Sequence, residues 1–478
     1  MSQLIDLDTI RNAYSLGGQW VRPRSELPPS VVTNSADGTP LAHVVQAGPD
    51  DVDAAIQMAN ESFTSFSQWP TAERAALLVS LADALDKRAP ALAETIALEV
   101  GTPRRIAEAV QVGMPVRVLH AYAEAIAELD LDTEIGHSLV RRVPTGVVGA
   151  ITPWNYPLHQ VIAKVGAALA AGCPIVLKPS KEAPLSALAL VDAAAEAGVP
   201  PGVLSVVPGP GVSVGEAIAA HPGIALLSFT GSTKAGVRVA TLAARNVTRV
   251  ALELGGKSAS IILDGADLPA AVKGSVRNGM LNSGQTCSAW TRMLVPRARL
   301  AEVAELAQHE LAKLTVGHPL QPSTRLGPLV SARQQQSVCE YIDHGLAEGL
   351  RIAAQGSVVE STGFYVAPTV FLDVPADSRL AQEEIFGPVL CIIGHDGADD
   401  AVAIANNSEY GLAGGVWAAT EQQAMEVAVR LRTGQVDING AAFNPAAPFG
   451  GFRRSGIGRE LGRFGIEEFL ETTAIQRP

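Results

Sequence analysis

The chain has 478 residues, too many for one ordinary core, so two or three domains are expected. Apolar residues make up 47% and aromatics only 5%, a mix in which small side chains let helices press onto sheets and which favours α/β layering. A formal charge of −12, with no lysine- or arginine-rich run against it, excludes nucleic acid as an expected partner, because phosphate binding needs a basic surface.

The segment Met1–Ala13 carries Asp6 and Asp8 and no apolar core, so it does not read as a signal peptide. No apolar stretch reaches membrane-spanning length; Val161–Cys173 is short and holds Lys164. Membrane association is therefore not expected. From Asp51 to Leu129 apolar residues recur at three- and four-residue steps, which predicts helices, clearest over Ala75–Leu85 and Ala91–Val100. Asp130–Pro144 is mixed polar and β-like and reads as a projecting two-stranded arm.

After Gly146 short apolar strands alternate with alanine-rich helices. Strands are predicted at Val147–Thr152, Ile175–Lys178, Ser205–Pro208, Ala225–Thr230 and Val247–Leu254. Helices fall between them at Leu158–Ala171, Leu185–Ala197, Val214–Ala220 and Ala235–Ala244. This repetition predicts a parallel, doubly wound sheet whose ligands bind at the carboxyl ends of the strands. A second series runs from Ser258 to about Asn439, with strands at Ile261–Leu263, Arg292–Pro296, Val389–Ile393 and Gly415–Ala418. Two α/β units divided near Gly255-Gly256 are expected.

Four cysteines, Cys173, Cys287, Cys339 and Cys391, are too few and too scattered for a disulfide framework or a zinc site, and a reducing cytoplasmic setting fits them. Cys173 and Cys391 lie in apolar, strand-like surroundings that suit core packing, and Cys339 in a polar helix. Cys287 differs. Its neighbours in Asn282-Ser283-Gly284-Gln285-Thr286-Cys287-Ser288-Ala289 are small and polar, which leaves a thiol accessible, as a nucleophile requires.

Three more segments end a strand or open a helix with unusual residues. In Thr152-Pro153-Trp154-Asn155-Tyr156-Pro157 the Asn155 amide is either a helix cap or a donor toward a developing oxyanion. In Phe229-Thr230-Gly231-Ser232-Thr233 a strand turns into a helix, and its N-terminal amides suit a phosphate; such caps also occur without ligands. In Leu252-Glu253-Leu254-Gly255-Gly256-Lys257 a carboxylate ends a buried strand, where it is either ion-paired or raised in pKa toward the range of a general base.

These four segments in this order resemble the aldehyde dehydrogenase superfamily. Further matches are Lys178-Pro179-Ser180, Glu383-Glu384-Ile385-Phe386-Gly387-Pro388-Val389, Tyr410-Gly411-Leu412 and Pro448 to Gly456, so the resemblance runs from about Gly17 to Thr473. It implies an aldehyde dehydrogenase-like α/β fold: two doubly wound parallel-sheet domains and a β-arm. An NAD(P)-binding domain would span residues 1–129 and 145–254, and a catalytic domain 255–461. Residues 130–144 and 462–478 would form the oligomerisation arm of a homodimer or homotetramer.

The resemblance also implies a mechanism. Cys287 adds to the aldehyde carbon, Asn155 holds the oxyanion, and Glu253 activates the water that hydrolyses the thioester; Lys164 supports the site. For the NAD or NADP cofactor, Lys178 matches the adenosine ribose contact, Ser232 and the backbone after Gly231 the pyrophosphate site, and Glu384 with Phe386 the nicotinamide ribose site. Thr152, Pro153, Trp154, Ser180, Gly211, Phe229, Thr230, Leu254 and Gly255 are matched to the same cleft. One departure matters: Lys181 stands where NAD-preferring members typically carry a glutamate, and a cation there would attract a 2′-phosphate. NAD and NADP therefore both stay open, since Lys181 could swing into solvent or Glu182 substitute.

For the substrate, Tyr156, His159, Gln160 and Ala163 on the helix after Asn155, Thr286 and Ser288 beside the nucleophile, and Phe443 are the candidate pocket residues. They suggest a medium-sized aliphatic or aromatic aldehyde, with His159 expected on the helix surface. Two rivals stand beside this reading. A coenzyme A-acylating semialdehyde dehydrogenase would have no need of Glu253, and a non-enzymatic descendant of the fold would have lost one of Cys287, Glu253 or Asn155.

Overall fold

The protein is described here from a computed structural model covering residues 4–358 and 362–478, so the first three residues of the Met1–Ala13 segment lie outside the described residues. No described helix is long and apolar enough to cross a membrane. Two large sheets organise the chain. The first has eight strands in the spatial order Gly456–Ile457, Arg249–Glu253, Leu226–Thr230, Val148–Ile151, Ile175–Lys178, Leu204–Val206, Tyr14–Leu16 and Gln19–Val21. Its five central strands are parallel and its outer ones antiparallel.

The central strands Val148–Ile151, Ile175–Lys178 and Leu226–Thr230 are buried along their whole length. This is what helices on both faces of a parallel sheet produce, and why these segments read as continuous apolar runs rather than alternating ones. The helices Thr71–Asp86, Gly113–Glu128, Pro157–Ala171 and Leu185–Ala197 supply one apolar core against this sheet. Gly166 lets the third of these approach the second, because a Cβ there would meet the Tyr122 ring at 2.8 Å.

The second sheet orders its seven strands as Arg351–Gln355, Thr369–Leu372, Val389–His395, Arg292–Pro296, Ala259–Ile262, Ala413–Trp417 and Gln435–Ile438. All but the first run parallel. A smaller antiparallel sheet joins Asp132–Ile135, Ser138–Pro144 and Leu470–Gln476, the last pairing from Leu470 opposite Pro144 to Gln476 opposite Ser138.

The strands and helices expected between Gly146 and Leu254 are found within one or two residues of their expected ends, with one difference there and two elsewhere in the chain. The helix expected at Val214–Ala220 opens with a wide π turn at Gly211–Gly215. The strands Tyr14–Leu16, Gln19–Val21, Ser30–Thr33 and Pro40–Val44 were not expected; at three to five residues they are too short to establish a periodicity. Finally, Gly456–Ile457 falls in the segment assigned to the second domain but adds an antiparallel edge to the first sheet, beside Leu252 and Glu253.

Candidate active site

In register, Ile151 lies beside Lys178, Phe229 beside Ile151, and Thr230 beside Glu253. The strand ends that carry the predicted chemistry thus share one edge of the first sheet, the edge where open α/β sheets bind ligands. The loop bearing Cys287 lies between the helix Leu268–Met280 and the strand Arg292–Pro296, which belongs to the second sheet.

That loop is held in an uncommon shape. Asn282, Ser283 and Gly284 occupy the left-handed region at φ 52°, 56° and 74°. Only glycine fits at the third position, where a Cβ would collide with the Gly387 carbonyl. Buried amides fix the turn. Asn282 Nδ2 and Gln111 Nε2 both donate to the Asn155 carbonyl, each at 2.9 Å, and Asn155 Nδ2 donates back to the Gln285 carbonyl at 3.0 Å. Gln285 accepts from the Val330 amide at 2.9 Å, and the Thr102 hydroxyl donates to Asn282 at 2.6 Å. One of the two Asn155 amide hydrogens is therefore committed to the loop, and the other is left for a ligand.

Cys287 is partly buried and forms a wall of two cavities. On one side lies a cavity of about 230 Å³ with Trp154, Asn155, Ser232, Gly255, Glu384 and Phe386 in its wall. Trp154 and Phe386 meet edge to face at 5.4 Å. Phe386 sits at φ 59°, its carbonyl accepting from Gln334 at 2.9 Å. Glu384 accepts from the Gly256 amide at 3.1 Å, and burial pushes its carboxyl up to about 7. A Cβ on Gly255 would displace the Glu384 carboxylate from its place beside the Gly256 amide.

On the other side of Cys287 lies a cavity of about 470 Å³ lined by Tyr156, Trp290, Trp417, Phe443 and Phe449 among others. Tyr156 and Thr286 share a hydrogen bond of 2.7 Å. His159 also faces this cavity, which corrects the expectation of a surface histidine: burial holds its ring down at about 4, so it is neutral at pH 7.

Glu253 is 5% exposed and stands in the wall of neither cavity. Burial, then the nearby Glu460 charge, raises its carboxyl well above the ordinary range, and one oxygen has no hydrogen-bond partner. Burial also raises the Cys287 thiol, with Glu384, Glu253 and Glu460 adding to the effect. The alternative of a lysine salt bridge at Glu253 is not what the structure shows. Lys164 instead donates to Glu460 at 2.5 Å and to Ser228 at 3.0 Å. Pro448 to Gly456 closes the site from behind: a Cβ on Gly450 would crowd a Glu253 oxygen, and the Ser455 hydroxyl donates to the Gly255 carbonyl at 2.7 Å.

The outer cofactor candidates lie beyond the 230 Å³ cavity. Lys178 is buried, donates to the Pro179 carbonyl at 2.9 Å, and is pulled down to about 8 by burial. Lys181 is exposed and stands 3.5 Å from Glu182, while Ser180 accepts from the Glu182 amide. Gly211 is exposed, and Thr152 and Phe229 are buried at their strand ends. Nearer in, Gly231 and Ser232 line that cavity; the Gly231 amide donates to the Glu253 carbonyl at 3.0 Å, and Ser232 caps the following helix through the Ala235 amide. Sequence reasoning missed Gln111, Asn282, Gln334 and Glu460.

The Aldehyde dehydrogenase family model matches residues 20–475. A 3-succinoylsemialdehyde-pyridine dehydrogenase from Pseudomonas sp is 44% identical, covering 97% of this chain and 98% of its own. A geranial dehydrogenase from Castellaniella defragrans is 42% identical over 94% and 95%. Among solved structures, a cysteine-to-alanine variant of aldehyde dehydrogenase C from Pseudomonas syringae, in complex with NAD+ and octanal, superposes with a TM-score of 0.96. It shares 43% identity and covers 98% of this chain and 97% of its own. An aldehyde dehydrogenase from Mycobacterium tuberculosis complexed with NAD+ gives a TM-score of 0.95 at 40% identity, covering 98% of each chain.

The turn before Cys287 provides a direct test of this packing. Gly284→Ala puts a Cβ into the Gly387 carbonyl at a positive φ, so it should destabilise the fold by at least about 2 kcal/mol. Urea unfolding measures this, and turnover should fall with it.

Proposed function

Because the chain belongs to the aldehyde dehydrogenase family, we propose that it oxidises an aldehyde to the carboxylic acid with NAD or NADP, using Cys287 as nucleophile and Glu253 as general base. The observation that carries this reading is the position of Cys287 as the wall shared by two cavities, one for aldehyde and one for cofactor. The 230 Å³ cavity fits a nicotinamide riboside, with Glu384 for the ribose and the Trp154–Phe386 pair beside the ring. When bound, NAD or NADP supplies the hydride acceptor.

The chain's own residues do the rest. The Cys287 thiolate adds to the aldehyde carbon, and the free Asn155 amide hydrogen with the Cys287 backbone amide stabilises the oxyanion, each donor being worth roughly 3 kcal/mol. Loss of hydride leaves a thioester on Cys287. Glu253 takes a proton from water, which attacks the thioester carbon and expels the thiolate as the acid forms. Burial that raises Glu253 suits it to accept that proton near neutral pH. Lys164 and Glu460 hold the charge balance behind it.

The larger cavity, at about 470 Å³ with aromatic walls, suits a medium-sized aliphatic or aromatic aldehyde. The relative bound to octanal supports that size. The first sheet with its helices (residues 1–129 and 145–254) would be the cofactor domain, and 255–461 the catalytic domain, less the strand Gly456–Ile457. The arm formed by 130–144 and 462–478 would build a homodimer or homotetramer. Lys181, exposed and only loosely paired with Glu182, leaves room for a 2′-phosphate.

Five measurements test these assignments. Cys287→Ala should lower kcat with octanal by at least about 10⁴-fold; full turnover would remove the mechanism. Glu253→Gln should still form NADH in a single burst of one per site but release acid slowly, whereas acyl transfer to added coenzyme A with no acid released would favour the acylating rival. Because Glu253 works deprotonated and is raised, kcat should climb with pH through its titration and fall below it; Glu253→Gln should flatten that limb. Lys181→Glu should cut kcat/KM for NADP by at least about tenfold while changing NAD far less. Light scattering on a chain lacking residues 470–478 should read a monomer where the full chain reads an oligomer.

A further inference from the structure

The strand Gln435–Ile438 shows a two-residue alternation with a consequence for the substrate. Val436 and Ile438 pack into the core beneath the sheet, while Gln435 and Asp437 line the cavity beside Cys287. Asp437 is half-buried, and Gln435 Nε2 donates to its carboxylate at 2.8 Å. Trp290 and Trp417 line the same cavity, their rings 6.5 Å apart and nearly perpendicular, with Phe443 also in the wall.

No lysine or arginine lines this cavity among the described residues. Its other titratable groups do not neutralise Asp437. His159 is neutral at pH 7, Tyr156 and Cys287 are held protonated by burial, and Glu460 is already taken by Lys164. Asp437 itself has only a neutral amide for company, and burial holds its carboxyl above the usual aspartate range. An apolar, aromatic cavity thus keeps one carboxylate with no cation of its own. A carboxylate so placed is costly unless something brings a compensating charge.

We propose that Asp437 sets the charge class of the substrate: the cavity accepts an aldehyde whose far end is cationic and rejects one that ends in a carboxylate. The proposal rests on the reading of Cys287 as the aldehyde-oxidising nucleophile. A cation opposite Asp437 gains an ion pair in a partly desolvated site and can lie on the indole or phenyl faces. A carboxylate there meets a like charge, and the residues lining the cavity offer it no cation. A neutral chain such as octanal is indifferent to the charge and fills the volume.

The experiment measures kcat/KM for octanal, a trimethylammonium-terminated aldehyde and a carboxylate-terminated aldehyde of matched length. It uses the unsubstituted enzyme, Asp437→Asn and Asp437→Lys, with each charged substrate normalised to octanal in the same variant. The unsubstituted enzyme should prefer the cationic over the anionic aldehyde by at least about tenfold. Asp437→Asn should bring that ratio close to one, and Asp437→Lys should invert it. A ratio that Asp437→Asn leaves unchanged, with octanal still oxidised, overturns the proposal alone. Failure of the unsubstituted enzyme to oxidise any of the three aldehydes overturns the reading of Cys287, and the proposal with it.

Discussion

A lattice of buried amides joins the two large sheets, and the geometry of the reactive loop depends on it. Asn155 follows a strand of the first sheet, and Asn282 and Gln285 precede a strand of the second; the hydrogen bonds among them link the two in both directions. Gln111, on a helix of the first unit, adds a second donor to the same Asn155 carbonyl. Leaving any one of these groups unpaired would cost about 1–3 kcal/mol, so the lattice is close to all-or-none. That cooperativity holds Asn282 and Ser283 in a left-handed backbone that costs non-glycine residues on the order of 1–3 kcal/mol each. The strain lies in the residues just before Cys287.

The electrostatics behind that loop follow from a shortage of cations. Glu253, Glu384 and Glu460 all bear on Cys287, and Lys164 is fully engaged with Glu460 and Ser228. Burial and mutual repulsion then favour neutral forms for the thiol and for Glu253. A site at rest with neutral groups admits an uncharged carbonyl without desolvating an ion pair. It also makes the Lys164–Glu460 pair a fixed background: an unpaired Glu460 would add a further buried charge beside Glu253.

Much of this was legible in the sequence because it is local. The parallel strands of the first unit are buried on both faces and therefore read as apolar runs, and the glycines at Gly255-Gly256 and Gly284 sit where backbone or carboxylate comes too close for a Cβ. What the sequence hid is what lies far away along the chain. Glu460 meets Lys164 across 296 positions, and Asn155 meets Asn282 across 127, and no periodicity carries such pairings. His159 was misjudged because the one position of its helix that is not fully buried faces the cavity beside Cys287. The third strand of the arm, Leu470–Gln476, escaped a reading from composition because six of its seven residues are exposed.

Cys287 lines two cavities, so on the reading proposed above aldehyde and cofactor would reach it through different ones and neither would need to displace the other. Such an arrangement tolerates little movement, since a shift of about 1 Å in a reacting atom can cost a hundredfold in rate. The surrounding glycines are where that tolerance is set. Gly256 brings the backbone so close that a Cβ would press on the Cys287 carbonyl, while its own amide holds Glu384. Gly255, one position earlier, clears the Glu384 carboxylate, and Gly450 clears Glu253. Each position lacks a side chain where a neighbouring carboxylate or carbonyl would otherwise be displaced. The division of labour between the two sheets is thus enforced by absent side chains as much as by the ones that react.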